Sequence, residues 1–436
     1  MVANATAHVL VIREQEAAVY RLVSWRVLPF LAVCYLFAYL DRINIGFAKL
    51  QMQSDLALSD AAYGLGAGIF FLGYVLFEVP SNLLLAKIGA RRTLSRILVL
   101  WGLTSAAMLV VTNVEAFYAL RFLLGVFEAG FAPGMIYYLA LWYPGARMAR
   151  AMAIVLGAGP VGGAIGAPVS IWIMKHLAGA SGLAGWQWMF LIEGVPSVLL
   201  GVAAYFYLVD KPADAPWLTA AQKAVIASQV EGPATGRSMS FTKALTDPRV
   251  YVLAAAYFCL ICGLYAVSFW LPTILKSAGL TDLFKIGIYS AVPYLAAIVA
   301  MYTISRSSDR GGERRWHSAA PAVLGAGFLT VAAYSTSFPA ALASITLATA
   351  AVFASYTVFW TIPQEHFKGT AAAGGIAFIN SIGLFGGFFS PTIIGWTKDV
   401  TGSMQAGLLA IAALLVIGAV LMAVRRAAGV PQTVTP

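Results

Sequence analysis

Four ionisable side chains stand inside otherwise apolar stretches. Asp41 and Arg42 lie side by side in "YLFAYLDRINIGFAKL" (35–50), and Arg121 and Glu128 lie seven residues apart in "LRFLLGVFEAGF" (120–131). An arginine offers two parallel N–H donors that match a carboxylate, and it stays charged at any physiological pH. A carboxyl group without water is driven toward its neutral form, while a neighbouring guanidinium opposes that shift. Two acids with two arginines can therefore capture an anion and load a proton. In the expected arrangement Arg121 and Arg42 bind a carboxylate, and Asp41 and Glu128 carry protons. Ionised Asp41 would occupy Arg121, and protonation would release that arginine. The plainer alternative is a structural Asp41–Arg121 pair that clips two helices together, with Arg42 snorkelling outward.

These groups need elements to hold them, and composition says what kind. The chain has 436 residues, 60% of them hydrophobic and 11% charged; its mean hydropathy is +0.82. Soluble domains carry about 25% charged residues, so this composition points to a polytopic membrane protein. Segments 97–114, 129–146, 151–174, 250–275, 369–397 and 400–424 lack Lys, Arg, Asp and Glu. Each is near or above the ~18–20 residues that a helix needs to cross the hydrocarbon core. No strict alternation suggests a barrel. The pattern predicts twelve helices, at 24–47, 61–85, 93–113, 116–141, 148–176, 187–209, 249–275, 285–306, 317–337, 339–363, 369–396 and 403–425. The first is expected to serve as the insertion signal, because no cleavable leader precedes it.

With those helices, 21 Lys and Arg fall on the side of both termini. Five (Lys49, Lys175, Lys276, Lys285, Lys398) fall on the other side, and Arg42 and Arg121 lie within helices. This asymmetry predicts cytoplasmic termini. It also assigns the net charge of +10 to topology rather than to a nucleic-acid partner. Asp41, Arg42 and Arg121 then share a depth of roughly 9 Å below the outer boundary, with Glu128 ~10 Å deeper. Charges there cost at least ~2.5–3.5 kcal/mol at the bilayer centre, so they are expected to face one another or a wet pathway. Tyr39, Asn44, Tyr74, Tyr265, Trp360, Asn380 and Ser381 could complete that cavity. Glu78 is expected to contact Lys87 or Arg91.

The polar segment 210–248 separates six helices from six. "AKIGARR" (86–92) after the second helix echoes "DRGGERR" (309–315) after the eighth, and "GGAIGAP" (162–168) echoes "GGFFSP" (386–391). Such repeats imply duplicated bundles with a site between them. The expected divisions are a cytoplasmic segment 1–23, bundles at 24–209 and 249–425, a central loop at 210–248 and a tail at 426–436.

Both basic loops resemble the signature of the major facilitator superfamily. "LDRINIGFAKLQM", "GYVLFEVPSNLLLAKIGARR", "LRFLLGVFEAGFAPGMIYYLALWYP" and "FINSIGLFGGFFSP" resemble its anion:cation symporter family, within the bacterial branch of tartrate, phthalate and hydroxyphenylacetate permeases. The resemblance covers nearly the whole chain. It implies an all-α fold of two six-helix bundles in the bacterial inner membrane and proton-coupled uptake of a small organic carboxylate, with no cofactor. It also implies that Asp41 and Glu128 are proton sites and that Arg42 and Arg121 contact the anion. Tyr74, Asn380 and Ser381 are implied as further contacts. Gating would fall to the loop residues Lys87, Arg91, Arg92, Asp309, Arg310, Arg314 and Arg315. Ala86 stands where the superfamily commonly has Asp, so the first loop is expected to lack one inter-helix contact that Asp309 supplies in the second. A monomer is expected.

Other signals are weaker. "GAGPVGG" (157–163) fits a dinucleotide fingerprint, but no strand precedes it and no acid follows until Glu193, so helix packing explains it better. Cys259 and Cys262 have redox spacing in the middle of a helix, and the four histidines are scattered, so no metal site is expected. "QEHF" (364–367), with Gln364, Glu365 and His366, is more polar than its surroundings and has no assigned role. A membrane enzyme would need a nucleophile–base pair or metal ligands, and a sensor would need a signalling domain; neither is visible. A channel would not need paired acids and arginines in duplicated bundles.

Overall fold

The computed structural model describes residues 2–230, 246–366 and 370–424. Every regular element among them is helical, and twelve helices are long and apolar enough to cross a membrane. They are α1 (Val2–Asp55), α2 (Asp60–Ile88), α3 (Ala90–Ala107), α4 (Val114–Glu128 continued by Phe131–Trp142), α5 (Gly145–Leu156 continued by Ala158–His176) and α6 (Gly185–Tyr207). The second six are α7 (Pro248–Ser277), α8 (Leu283–Gly311), α9 (Arg315–Tyr334), α10 (Phe338–Phe359), α11 (Thr370–Thr401) and α12 (Gln405–Ala423).

The two sets pack alike. In the first half α1 lies on α5, α2 on α4 and α3 on α6; in the second, α7 lies on α11, α8 on α10 and α9 on α12. Each second-half pair is its first-half counterpart moved on by six helices, which is how a duplicated bundle should pack. The halves meet along α2–α11, α5–α8 and α1–α7, and exchanging the halves maps this set of contacts onto itself.

Two features depart from the sequence expectation. α1 extends beyond 24–47 at both ends, so Lys49 is a helix residue, only 2% exposed, rather than a loop residue. α4 is not continuous: Ala129 leaves the helical region and Gly130 takes φ 87°, a left-handed conformation that glycine adopts without a Cβ penalty. Glu128 is the last residue before that break. A shorter helix, Ala220–Gln229, lies in the central segment and is opened by a Thr219 capping box. Residues 231–245 of that segment and the tail at 426–436 lie outside the described residues.

Candidate functional site

Arg42 is the hub. Its Nη2 donates to Oε1 of Glu128 in a close ion pair, and its Nη1 donates to the Tyr265 hydroxyl at 2.9 Å. The guanidinium also lies 5.3 Å from the Phe70 ring centroid and 5.6 Å from that of Tyr74. It thus ties α1 to α4 within one half and to α7 of the other. Arg42 keeps 17% of its side chain exposed, while Glu128 keeps 1%. Oε2 of Glu128 and Nε of Arg42 are buried without hydrogen-bond partners. An ion pair within the first half that reaches the second through Tyr265, with unused hydrogen-bonding capacity on both members, can exchange partners.

The expected Asp41–Arg121 exchange is not what the side chains do. Asp41 turns away from Arg42 into the first half. There its carboxylate accepts from Trp101 Nε1 at 2.8 Å, Ser105 Oγ at 2.9 Å and Ser197 Oγ at 3.1 Å, with the Asn44 amide at 3.4 Å. Arg121 is fully buried between α2 and α4. Its Nε and Nη2 donate to the carbonyls of Gly66 (3.2 Å) and Ala67 (3.3 Å), it stands over the Phe70 ring, and its Nη1 has no partner. The reason is angular. Neighbouring helix residues point about 100° apart, so Asp41 and Arg42 share a depth but not a direction.

Glu78 is also placed differently from expectation. Rather than meeting Lys87 or Arg91, it accepts from Asn380 Nδ2 at 3.0 Å and Ser381 Oγ at 3.3 Å on α11. Asn380 and Ser381 thus meet the first half through Glu78. Of the remaining cavity candidates, Tyr39 lies edge-on to Tyr294 of α8, and Trp360 edge-on to Tyr257 of α7. Asn44 is buried within the first half, where it donates to Glu193 at 3.0 Å.

The superfamily model for the Major Facilitator Superfamily matches residues 31–391. The chain belongs to this superfamily. A protein of Agrobacterium vitis provisionally named a tartrate transporter is 45% identical over 94% of this chain and 92% of its own length. A quinolone resistance transporter of Acinetobacter baumannii is 40% identical over 93% and 94%. Among solved structures, a bacterial homologue of the human lysosomal transporter Spinster, in an inward-facing and unoccupied conformation, superposes with a TM-score of 0.76 at 17% identity, covering 91% of this chain and 96% of that one. This major facilitator chain is thus a membrane transporter and not an enzyme.

The superfamily's basic loops lie at one end of the molecule. In the first, Asp210 supplies the acid that position 86 lacks. It accepts from the Arg91 backbone N–H at 2.8 Å and stands 3.8 Å from its Nε; Lys87 and Arg92 are exposed. In the second, Arg314 pairs with Asp309 and reaches Ser308 at 3.0 Å, Arg315 lies over the Trp316 ring, and Arg310 is exposed. Glu313 is part-buried, which pushes its carboxyl up, but donors from Trp316 and His317 outweigh this and hold it below the usual range. The Arg314–Asp309 pair is water-exposed and contributes at most ~1 kcal/mol.

At the opposite end a cluster that the sequence reading missed joins the halves. Asp60 of α2 pairs with Lys49 at 2.6 Å and with Lys398 of α11 at 3.0 Å. Lys49 Nζ also stands 3.7 Å from the Trp270 ring centroid. The Asp399 carboxylate of α11 accepts the Asp60 and Ala61 N–H groups at 2.9 Å each, so it caps α2 from the other half. Glu193 of α6, held by Ser170 at 2.6 Å and by Asn44, was also missed. It lay within a predicted helix, and the rule applied to the other intramembrane charges would have flagged it.

The decoys resolve as packing. A Cβ at Gly162 would lie 2.8 Å from the Leu36 carbonyl, and one at Gly163 would lie 2.8 Å from the Tyr294 ring, so the glycine run seats α5 against α1 and α8. Cys259 and Cys262 are buried free thiols. Gln364, Glu365 and His366 lie in a short helix, Thr361–His366; their side chains are outside the described residues.

Proposed function

We propose that the chain is a proton-coupled symporter that takes up a small organic carboxylate by alternating access. The observation that carries this reading is the buried Arg42–Glu128 pair, tethered to the opposite half through Tyr265. When Glu128 is ionised it occupies Arg42. Proton uptake at Glu128 leaves the guanidinium with an unmet need for an anion, and a substrate carboxylate fills it. Substrate and proton then bind together. Binding at Arg42 draws on Tyr265, so occupancy is transmitted between the halves. Arg121, anchored to α2 carbonyls, supports the field of the site through its unpartnered Nη1 rather than through exchange with Asp41.

The provisional tartrate name of the Agrobacterium relative supports a carboxylate. In this reading the chain works as a monomer in the bacterial plasma membrane, with the basic loops and both termini cytoplasmic. The decisive experiment uses Glu128→Gln in proteoliposomes, with a panel of radiolabelled carboxylates that includes tartrate. Accumulation driven by a pH gradient should be lost while substrate exchange between the two sides persists. Accumulation surviving in the variant would refute the coupling role.

A further inference from the structure

The donor pair on α11 already holds a carboxylate, and the carboxylate is the protein's own. Asn380 Nδ2 donates to Oε1 of Glu78 and Ser381 Oγ donates to Oε2, at 3.0 and 3.3 Å. One donor for each oxygen is the arrangement that recognises a carboxylate end-on. The two donors come from one half of the molecule and the acceptor from the other. Glu78 is 5% exposed, and no cation pairs with it among the described residues. Tyr74, which meets the Arg42 guanidinium, stands one helical turn, about 6 Å, from Glu78 along α2. The donor pair is therefore a neighbour of the Arg42 site and not part of the seal at the Lys49 end.

Position along the interface gives Glu78 a task. Polar contacts from α2 to the second half run from Asp60 and Ala61 through Gly64 to Glu78. Among the described residues Glu78 makes the contact nearest the basic-loop end. Beyond it Val79 and Leu83 are exposed.

We propose that Asn380 and Ser381 form a carboxylate cradle in which Glu78 is the resident occupant. Glu78 latches α2 to α11 when the site is empty and is displaced when the anion binds. This rests on the carrier reading for the identity of the displacing anion. The latch itself requires only that the cradle prefer a carboxylate. A buried carboxylate with two good donors outcompetes a neutral group there, and losing it leaves both donors unmatched.

The test reads the separation of the halves without transport. The native cysteines are buried, so spin labels go on exposed positions at the basic-loop end, Arg92→Cys and Arg310→Cys, in the full-length chain in nanodiscs. Glu78→Ala should raise the population with long separations about tenfold, the weight of a hydrogen-bonded charge. Glu78→Gln, which keeps the shape, should act in the same direction. Asn380→Ala with Ser381→Ala should reproduce the shift and add nothing to Glu78→Ala. The atoms removed by Glu78→Ala amount to acetate. Free acetate should therefore compete with Glu78 for the cradle in the parent chain and raise the population with long separations. It should have no effect once Glu78 or the cradle is removed, and sodium chloride of equal ionic strength should have no effect on any of them. An unchanged distribution in both Glu78 variants, or equal action of acetate and chloride, overturns the proposal. Failure of proton-driven uptake to depend on Glu128 would overturn the coupling reading and leave this measurement standing.

Discussion

Arg42 uses separate nitrogens for Glu128 and for Tyr265, and that division is a property of the guanidinium fork. Lysine has one nitrogen on a flexible stem and cannot hold both partners in a fixed geometry. Arg42→Lys should raise the KM for the transported anion about tenfold, the loss expected for one charge-assisted contact. A KM unchanged in uptake kinetics would mean that the Tyr265 tether does not matter. Asp41 poses a different problem, because Trp101, Ser105 and Ser197 all donate to its two oxygens. Asp41→Asn turns an N–H₂ toward at least one donor and should lower stability by about 1–3 kcal/mol. A melting temperature equal to the parent's, together with lost accumulation, would instead make Asp41 a proton site. That acids and arginines gather near one depth could be read from residue numbers. Which acid meets which arginine could not, since a shared depth leaves azimuth open and the Gly66 and Ala67 carbonyls capture Arg121 first.

Helix packing decides where Arg121 and Glu128 can stand. α2 and α4 approach so closely that a Cβ at Gly125 would sit 1.9 Å from the Phe70 carbonyl oxygen, and one at Gly73 would sit 2.3 Å from that of Phe122. Both obstacles are backbone and cannot rotate away. Gly125→Ala must therefore push the helices apart, loosening the Arg121 anchor along with Glu128. A cost of about 1–3 kcal/mol is expected, together with a loss of transport out of proportion to the loss of folded protein. Scintillation binding and thermal melting on the same sample would check it; equal loss of both would reduce the glycine to a stability role. The twelve helices were legible because each crossing must be long and apolar. The break after Glu128 was not, since the residues that follow it in "EAGFAPG" stay apolar through the turn, and only Gly130 and Pro133 hint at the change of backbone. The same blindness at an element's end put Lys49 in a loop: a boundary set at 47 left it outside a helix that continues to Asp55.

The whole molecule is fastened at the end opposite the basic loops, and the fastening has an order of strength. Asp60 is the only acid among the described residues that pairs with both Lys49 and Lys398, and Lys49 is 2% exposed. Removing the negative charge leaves a buried ammonium with no ion-pair partner among the described residues, offset by the Trp270 and Tyr63 rings and by the more distant Asp399 carboxylate. Breaking such a buried pair costs about 3–5 kcal/mol, against about 1 kcal/mol for the loss of a helix cap. Asp60→Asn should therefore part the halves at this end far more than Asp399→Asn, which keeps one acceptor oxygen for the cap and loses the second contact and a more distant charge. Asp60→Glu, which keeps the charge, should recover part of the closure. Lys49, Gln53, Lys276 and Lys398 line a cavity of about 190 Å³ just outside the seal, so the change can be read there. With Gln53→Cys as the reporter, reaction with a membrane-impermeant maleimide should accelerate strongly in Asp60→Asn, slightly in Asp399→Asn, and return toward the parent rate in Asp60→Glu. Equal acceleration in the Asn variants would shift the weight of the seal to the helix cap. No acceleration in either would mean that apolar packing between α2 and α11, where Gly64 meets Pro391 and Gly395 meets Asp60, closes this end without the charges.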